Sequence, residues 1–99
     1  MSLVLEERGG SITVTAPVLA TLVAEAAEEV EGARVRRGRR RLEIDVSGEG
    51  ARVRLELAAR YGLVLPEVAR RVQERVAAAL TTMCKLRIDA IDVSVEEVE

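Results

Sequence analysis

The 99-residue sequence has no histidine, no tryptophan and no phenylalanine, and it contains one cysteine and one tyrosine. Without histidine it lacks the commonest general base and the commonest metal ligand, and the lone Cys84 cannot form an internal disulfide or a two-cysteine metal site. A core of aliphatic side chains also offers no aromatic-lined ligand cavity. We therefore predict a protein that is not an enzyme and that carries no metal and no cofactor.

Long apolar runs are missing as well, since none approaches the ~20 residues that span a bilayer. Glu6, Glu7 and Arg8 follow directly on Met1–Leu5, a pattern that does not resemble a signal peptide. A single cysteine suits a reducing compartment. We expect a cytoplasmic protein that does not itself span a membrane, and the length predicts one domain over residues 1–99.

The first third of the sequence reads as a strand followed by a helix. Ile12 and Val14 alternate with polar residues in a predicted strand over 11–15. The helix that follows has Thr15 as its N-cap and Gly32 as its C-terminal stop in the left-handed conformation. Its apolar residues recur on one face at the helical spacing, and glutamates occupy the other face.

Three strands are predicted next, over 33–37, 41–47 and 51–61. The second and third alternate apolar with charged side chains, so one face of each is apolar and the other is charged. Gly38 and the segment 47–50 mark two reversals of the chain. An antiparallel meander is the simplest arrangement of these strands.

A second helix is predicted after Gly62, with Pro66 near its start, and a final strand over 85–95. The apolar positions of that strand shift phase between Ala90 and Ile91, which indicates a β-bulge or a strand buried on both faces there. The predicted order is β-α-β-β-β-α-β. We expect an α+β fold in which two helices pack on one face of a mainly antiparallel sheet.

Positive charge is concentrated in one segment, although the net charge is only −2. The arginines that surround Gly38 in the predicted hairpin are Arg34, Arg36, Arg37, Arg39, Arg40 and Arg41. Their field suits phosphate, an acidic protein or an anionic membrane surface. A solvated turn is the alternative, with the arginines paired to Glu43, Asp45 or the glutamates of the first helix. Nucleic-acid binding has little support, because no aromatic residue is interleaved to stack bases.

The charged face of the predicted sheet is the second candidate site. It combines both signs of charge, in Glu43, Asp45, Arg52, Arg54, Glu56 and Arg60. If both helices cover the opposite face, this face or an uncovered edge strand is open to a protein partner through charge complementarity or strand addition. An ordinary solvated face is the alternative. We assign no metal or acid–base role to its carboxylates, because alternation exposes them to solvent.

Four segments in matching order resemble the alkaline-shock-protein family of bacterial envelope stress-response proteins. In the longest, Tyr61–Val76, a strand ending in Tyr-Gly leads through a short apolar link into a helix that begins Pro-Glu-Val-Ala and continues Val-Gln. The others are Gly10–Val14, Glu29–Gly32 and Val93–Val95. The resemblance therefore extends from Gly10 to Val95 and implies a domain core of that extent.

The resemblance also implies a small α+β protein linked to cell-envelope homeostasis, without established enzymatic activity, which in some members is tethered at the cytoplasmic membrane by a membrane-spanning partner. Our leading hypothesis is a cytoplasmic, non-enzymatic scaffold that associates with itself or with a membrane-anchored homologue at the inner face of the cell membrane. The alternative hypothesis is a nucleic-acid-binding module that uses the arginine-rich segment 34–41. A small hydrolase that uses the surface carboxylates is the third.

Overall fold

The computed structural model describes the backbone of residues 2–7 and 10–16 and the complete residues 17–36 and 41–99. In these residues the chain forms strands and helices in the order ββαβββαβ. Their bounds are β1 (Ser2–Glu7), β2 (Gly10–Thr15), α1 (Ala16–Glu28), β3 (Ala33–Val35), β4 (Leu42–Ser47), β5 (Gly50–Ala59), α2 (Leu65–Cys84) and β6 (Arg87–Val98). Every predicted element is present, and β1 is an additional strand that no sequence pattern predicted.

The main sheet has β5 at its centre. β6 pairs with one edge of β5 in parallel, and β3 and β4 both pair with the other edge in antiparallel orientation. The predicted α+β fold with a mainly antiparallel sheet is therefore confirmed. The meander is wrong, because β3 and β4 do not pair with each other. β1 and β2 form a separate antiparallel hairpin.

β3 and β4 follow one another along the same edge of β5 and meet at Glu56. The Arg36 amide donates to the Glu56 carbonyl (2.9 Å), and the Glu56 amide donates to the Arg41 carbonyl (2.8 Å). Arg36 and Arg41 thus both bond to Glu56 along the same edge of the central strand, where β3 gives way to β4. The predicted hairpin is wrong for the same reason as the meander, and its tip, residues 37–40, lies outside the described residues.

Alternation along β5 separates a buried row from a charged row. Val53, Leu55 and Leu57 are at most 2% exposed, whereas Arg52 and Arg54 are exposed. α1 and α2 both pack on the buried row, as predicted. Their contributions to the core include Leu19, Val23, Ala27, Val68, Val72, Val76 and Leu80.

The predicted phase change in the last strand is a β-bulge. Ala51 and Arg52, which are consecutive on β5, pair with Ile88 and Ala90 of β6. Asp89 is therefore the extra residue on β6. Ile88 and Ile91 consequently both pack on the core. A second register shift leaves Glu96 as an extra residue, and no pattern predicted that one.

The turn that ends the first helical segment also follows its prediction in part. Gly32 has a φ of 85°, in the left-handed region that was expected of it. The helix itself ends earlier than predicted, at Glu28. A Cβ atom at residue 32 would overlap the end of the Leu63 side chain, so a larger residue would have to displace Leu63 as well as adopt the strained positive φ.

Leu55→Ala should lower the free energy of unfolding by about 2–5 kcal/mol, because the change removes apolar contacts and leaves a cavity. Leu55 is fully buried. Met83→Ala is the matched control, since Met83 is 68% exposed, and should cost less than about 1 kcal/mol. Urea unfolding followed by circular dichroism measures both variants. Equal losses would contradict the placement of Leu55 in the core.

Candidate functional site

On the charged side of the sheet, a basic column on β5 lies between an acidic column on β4 and a single aspartate on β6. Arg52 and Arg54 lie on β5, and Asp45 and Glu43 lie directly opposite them on β4. Asp92 of β6 lies opposite Arg54 on the other edge. All five side chains are exposed, because the helices pack on the other side of the sheet. We call these five residues the outward face.

The charges of the outward face form no salt bridges within the described part of the chain. Exposed pairs of this kind stabilise a fold little, since fixing two long side chains costs conformational entropy and water screens the attraction. New ion pairs across an interface would therefore replace none that the described residues form with one another. The outward face is consequently suited to recognition of a charged partner.

Two arginines of the predicted cluster form ion pairs at the other end of the sheet. Arg34 donates two hydrogen bonds to Glu99, from Nε to Oε1 (3.0 Å) and from Nη2 to Oε2 (2.8 Å). Arg36 lies between Glu56, with Nη1 3.4 Å from Oε1, and Glu97, with Nε 3.7 Å from Oε2. The partners of these two arginines are thus Glu56 of β5 and the glutamates at 97 and 99, and not the β4 carboxylates or the first-helix glutamates that the sequence suggested.

Ala58 accounts for the reach of Arg34. It lies on the charged side of β5, between Arg34 on β3 and Glu97 on β6, yet it is fully buried. Its small side chain allows Arg34 to extend across β5 to Glu99. Arg41 has an interaction partner as well. The arginine cluster therefore divides into residues with interaction partners, Arg34, Arg36 and Arg41, and positions outside the described residues, Arg37, Arg39 and Arg40.

Two predicted members of the charged sheet face have other surroundings. β5 ends at Ala59, so Arg60 lies beyond the sheet, where its Nη2 is 3.3 Å from Glu31 Oε1. Glu56 is half-buried beside Arg36. Asp92, which sequence reasoning missed, lies on the outward face. The phase change of β6 was the available signal, because counting onward from the bulge places Asp92 on the charged side.

The remaining chemical candidates do not form a site. Within the residues that the structure describes, no three His, Cys, Asp or Glu side chains are placed to hold a metal ion. Cys84 is buried in the core at the end of α2, and desolvation raises the pKa of its thiol. A thiol with a raised pKa forms less of the reactive thiolate. Cys84 therefore acts as a core side chain.

The ion pair between Arg34 and Glu99 makes part of the stability dependent on pH. The hydrogen bond from Arg34, supported by its charge, lowers the pKa of Glu99, and Arg87 lowers the pKa of Asp89 in the same way. A carboxyl whose pKa is lower in the folded state stabilises the fold above its unfolded pKa. That contribution is lost as the pH falls through the folded pKa.

Glu99→Gln should therefore flatten the decline in unfolding free energy between about pH 6 and pH 3. Glu96→Gln is the matched control, because Glu96 is an exposed glutamate of β6, and it should leave the decline close to that of the unmodified chain. Urea unfolding at a series of pH values gives both curves. Equal flattening by both changes would show that the Arg34 contact is not its cause.

No helix in the described residues is both long and apolar enough to cross a membrane. Solved structures of the MamM CTD have a similar fold. The cadmium form of one variant gives a TM-score of 0.58 at 26% identity, covering 84% of this chain and 96% of that one. The nickel form of another gives 0.58 at 25%, covering 84% and 99%. No curated protein matches the sequence significantly.

The sequence also matches a protein family over residues 4–99, which is nearly its whole length. That family is described as having a cell envelope-related function. The match agrees with the resemblance carried by Tyr61–Val76 and the three shorter segments, and it extends the resemblance to the first strand. This chain belongs to the alkaline shock protein 23 family.

Proposed function

We propose that this chain is a non-catalytic interaction module of the cytoplasm that serves the cell envelope through protein–protein contacts on its outward face. The observation that carries the proposal is the basic column of Arg52 and Arg54, which lies between the acidic column of β4 and the single Asp92 of β6. These side chains are exposed and form no salt bridges among the described residues. Patterned charge of this kind gives an interface specificity and register. The envelope-related function of the family supports the location.

A homologue with the same pattern of charge is the partner that fits the outward face. Adjacent strands of a sheet are about 4.8 Å apart. Two outward faces that meet with an offset of one strand would bring the acidic column of β4 over the basic column of β5. A membrane-anchored homologue would hold the chain at the inner face of the membrane by this contact, and a second copy of the chain would extend the assembly.

Nucleic-acid binding through segment 34–41 is the less favoured function. Arg34 and Arg36 already contact Glu99, Glu56 and Glu97. A phosphate would have to displace these carboxylates, and the cost of breaking their ion pairs would lower its binding free energy. No contact of the described residues favours this function over protein binding.

Arg52→Gln/Arg54→Gln should reduce the recovery of envelope partners with the full chain. A tagged chain is expressed in its native host and purified after crosslinking, and its position is followed by fluorescence microscopy. The unmodified chain should be found at the cell periphery and should recover a membrane protein. The double variant should recover on the order of tenfold less, because both basic contacts of the interface are lost.

Arg70→Gln/Arg71→Gln is the matched control, because it removes the same charge from exposed positions of α2 on the opposite side of the molecule. Recovery should be close to that of the unmodified chain, and circular dichroism should show that both variants are folded. A uniform cytosolic distribution of the unmodified chain without any partner would contradict the proposed function. Equal losses in the two double variants would contradict the role of the outward face.

A further inference from the structure

The main sheet has two edges, and hydrogen bonds to groups outside the sheet close parts of them. At β3, the outward amide of Ala33 donates to the Val30 carbonyl (3.1 Å), and that of Val35 donates to Glu28 Oε2 (3.1 Å). The end of α1 and the turn after it thus occupy both outward donors of β3. No further strand can pair there without displacing these bonds.

The β6 edge is protected by different means. Gln73 of α2 donates from Nε2 to the Ile91 carbonyl (3.0 Å), which occupies an acceptor in the middle of the strand. The bulges at Asp89 and Glu96 interrupt the regular spacing of backbone groups on either side of it. Bulges and side-chain cover are the means by which edge strands avoid pairing with other chains.

The β4 edge has neither protection within the described residues. The tight turn that joins Ser47 to Gly50 fixes the hydrogen-bonding parity of β4, because residues flanking a two-residue turn bond to each other. Counting back from Ser47, the N–H and C=O groups of Leu42, Ile44 and Val46 are directed away from β5. No hydrogen bond to any of them joins β4 to another described element.

The side chains of β4 determine which residues a strand paired with its free edge needs. Leu42, Ile44 and Val46 are half-buried on the core side, and Glu43 and Asp45 are exposed on the other. A matching strand therefore needs apolar side chains on one face and basic side chains on the other. β5 meets this requirement at the opposite edge of β4, with Arg52 and Arg54 facing the two acids.

A second copy of β4 does not meet this requirement. In each two-fold antiparallel register that bonds at least two of Leu42, Ile44 and Val46 in both copies, Glu43 or Asp45 lies opposite Glu43 or Asp45 of the other copy. Like charges directly opposite one another destabilise a strand pair. The edge therefore selects against its own sequence and in favour of a basic one.

We propose that β4 is a strand-addition site for an extended segment of a partner protein in which basic and apolar residues alternate. The proposal rests on the proposed function, since it names the chemistry of one partner of the same protein-binding module. Main-chain hydrogen bonds to Leu42, Ile44 and Val46 supply the attachment, as in other cases of strand addition. Glu43 and Asp45 select the basic residues.

The probe is the capped peptide Lys-Val-Arg-Val-Lys-Val-Arg, added to the isotope-labelled full chain. Binding should slow hydrogen exchange at the amides of Leu42, Ile44 and Val46 and leave those of Glu43 and Asp45, which already bond to β5, nearly unchanged. A peptide of the same composition with its valines contiguous, and the alternating peptide Glu-Val-Asp-Val-Glu-Val-Asp, should bind on the order of tenfold more weakly. Equal binding of all three, or protection at β6 instead of β4, would overturn the proposal.

Val46→Pro tests the main-chain contact. Proline lacks an N–H but removes only an outward donor at this position, so the ladder with β5 stays intact. It should lower the affinity for the basic peptide by on the order of tenfold, whereas Val46→Ala, which keeps the amide, should lower it far less. Equal losses in the two variants would count against strand addition.

Glu43→Lys/Asp45→Lys tests the selection by charge and changes only exposed side chains. It should reverse the preference, so that the acidic peptide binds and the basic one does not; an unchanged preference would overturn the proposal. Failure of the strand-addition proposal is distinguishable from failure of the proposed function. If Val46→Pro still recovers the envelope partner and Arg52→Gln/Arg54→Gln does not, the outward face acts without the β4 edge.

Discussion

The pairing of β5 on both of its edges is the constraint on which the rest of the structure depends. β5 is the one strand to which β3, β4 and β6 all bond, and its core row of Val53, Leu55 and Leu57 is buried under both helices. The parallel pair with β6 requires a crossover, which α2 supplies. Because side chains alternate, burying that row forces Arg52 and Arg54 to the opposite side. The position of the outward face is thus a consequence of how the core is built.

Sequence reasoning succeeded where the signal is local. Alternation in 41–47 and 51–61 identified both strands and the side that each charge occupies, and the change of phase before Ile91 located a bulge. Pairing is not local. Gly38 is compatible with a hairpin, but β3 and β4 lie end to end on β5 instead. In that position Val35 packs into the core and Arg36 forms an ion pair with Glu56. The order of strands therefore could not be read from turn residues.

The candidate site divides in the same way. Glu43, Asp45, Arg52 and Arg54 were predicted on one charged face because each belongs to a strand with clear alternation. The partners of the arginines were not predictable, since Glu97 and Glu99 come opposite β3, on the far edge of β5, only after two register shifts in β6. The second shift lies in an acidic stretch that lacks a continuing apolar pattern. Identical arginine side chains therefore have different surroundings according to pairing that is distant in sequence.

The protection of the sheet edges depends both on strand pairing and on the placement of charged side chains. Edge strands attract other chains, and proteins block them with bulges, charges or covering groups. Here the side chain of Glu28 accepts a hydrogen bond from β3, and the side chain of Gln73 donates one to β6. Each thereby occupies a backbone group at the edge of the sheet. β4 is short and carries Glu43 and Asp45, which keep it from pairing with itself while leaving it attractive to a basic strand. If β4 accepts a basic strand as proposed, this difference between like and opposite charge is the physical basis of its selectivity.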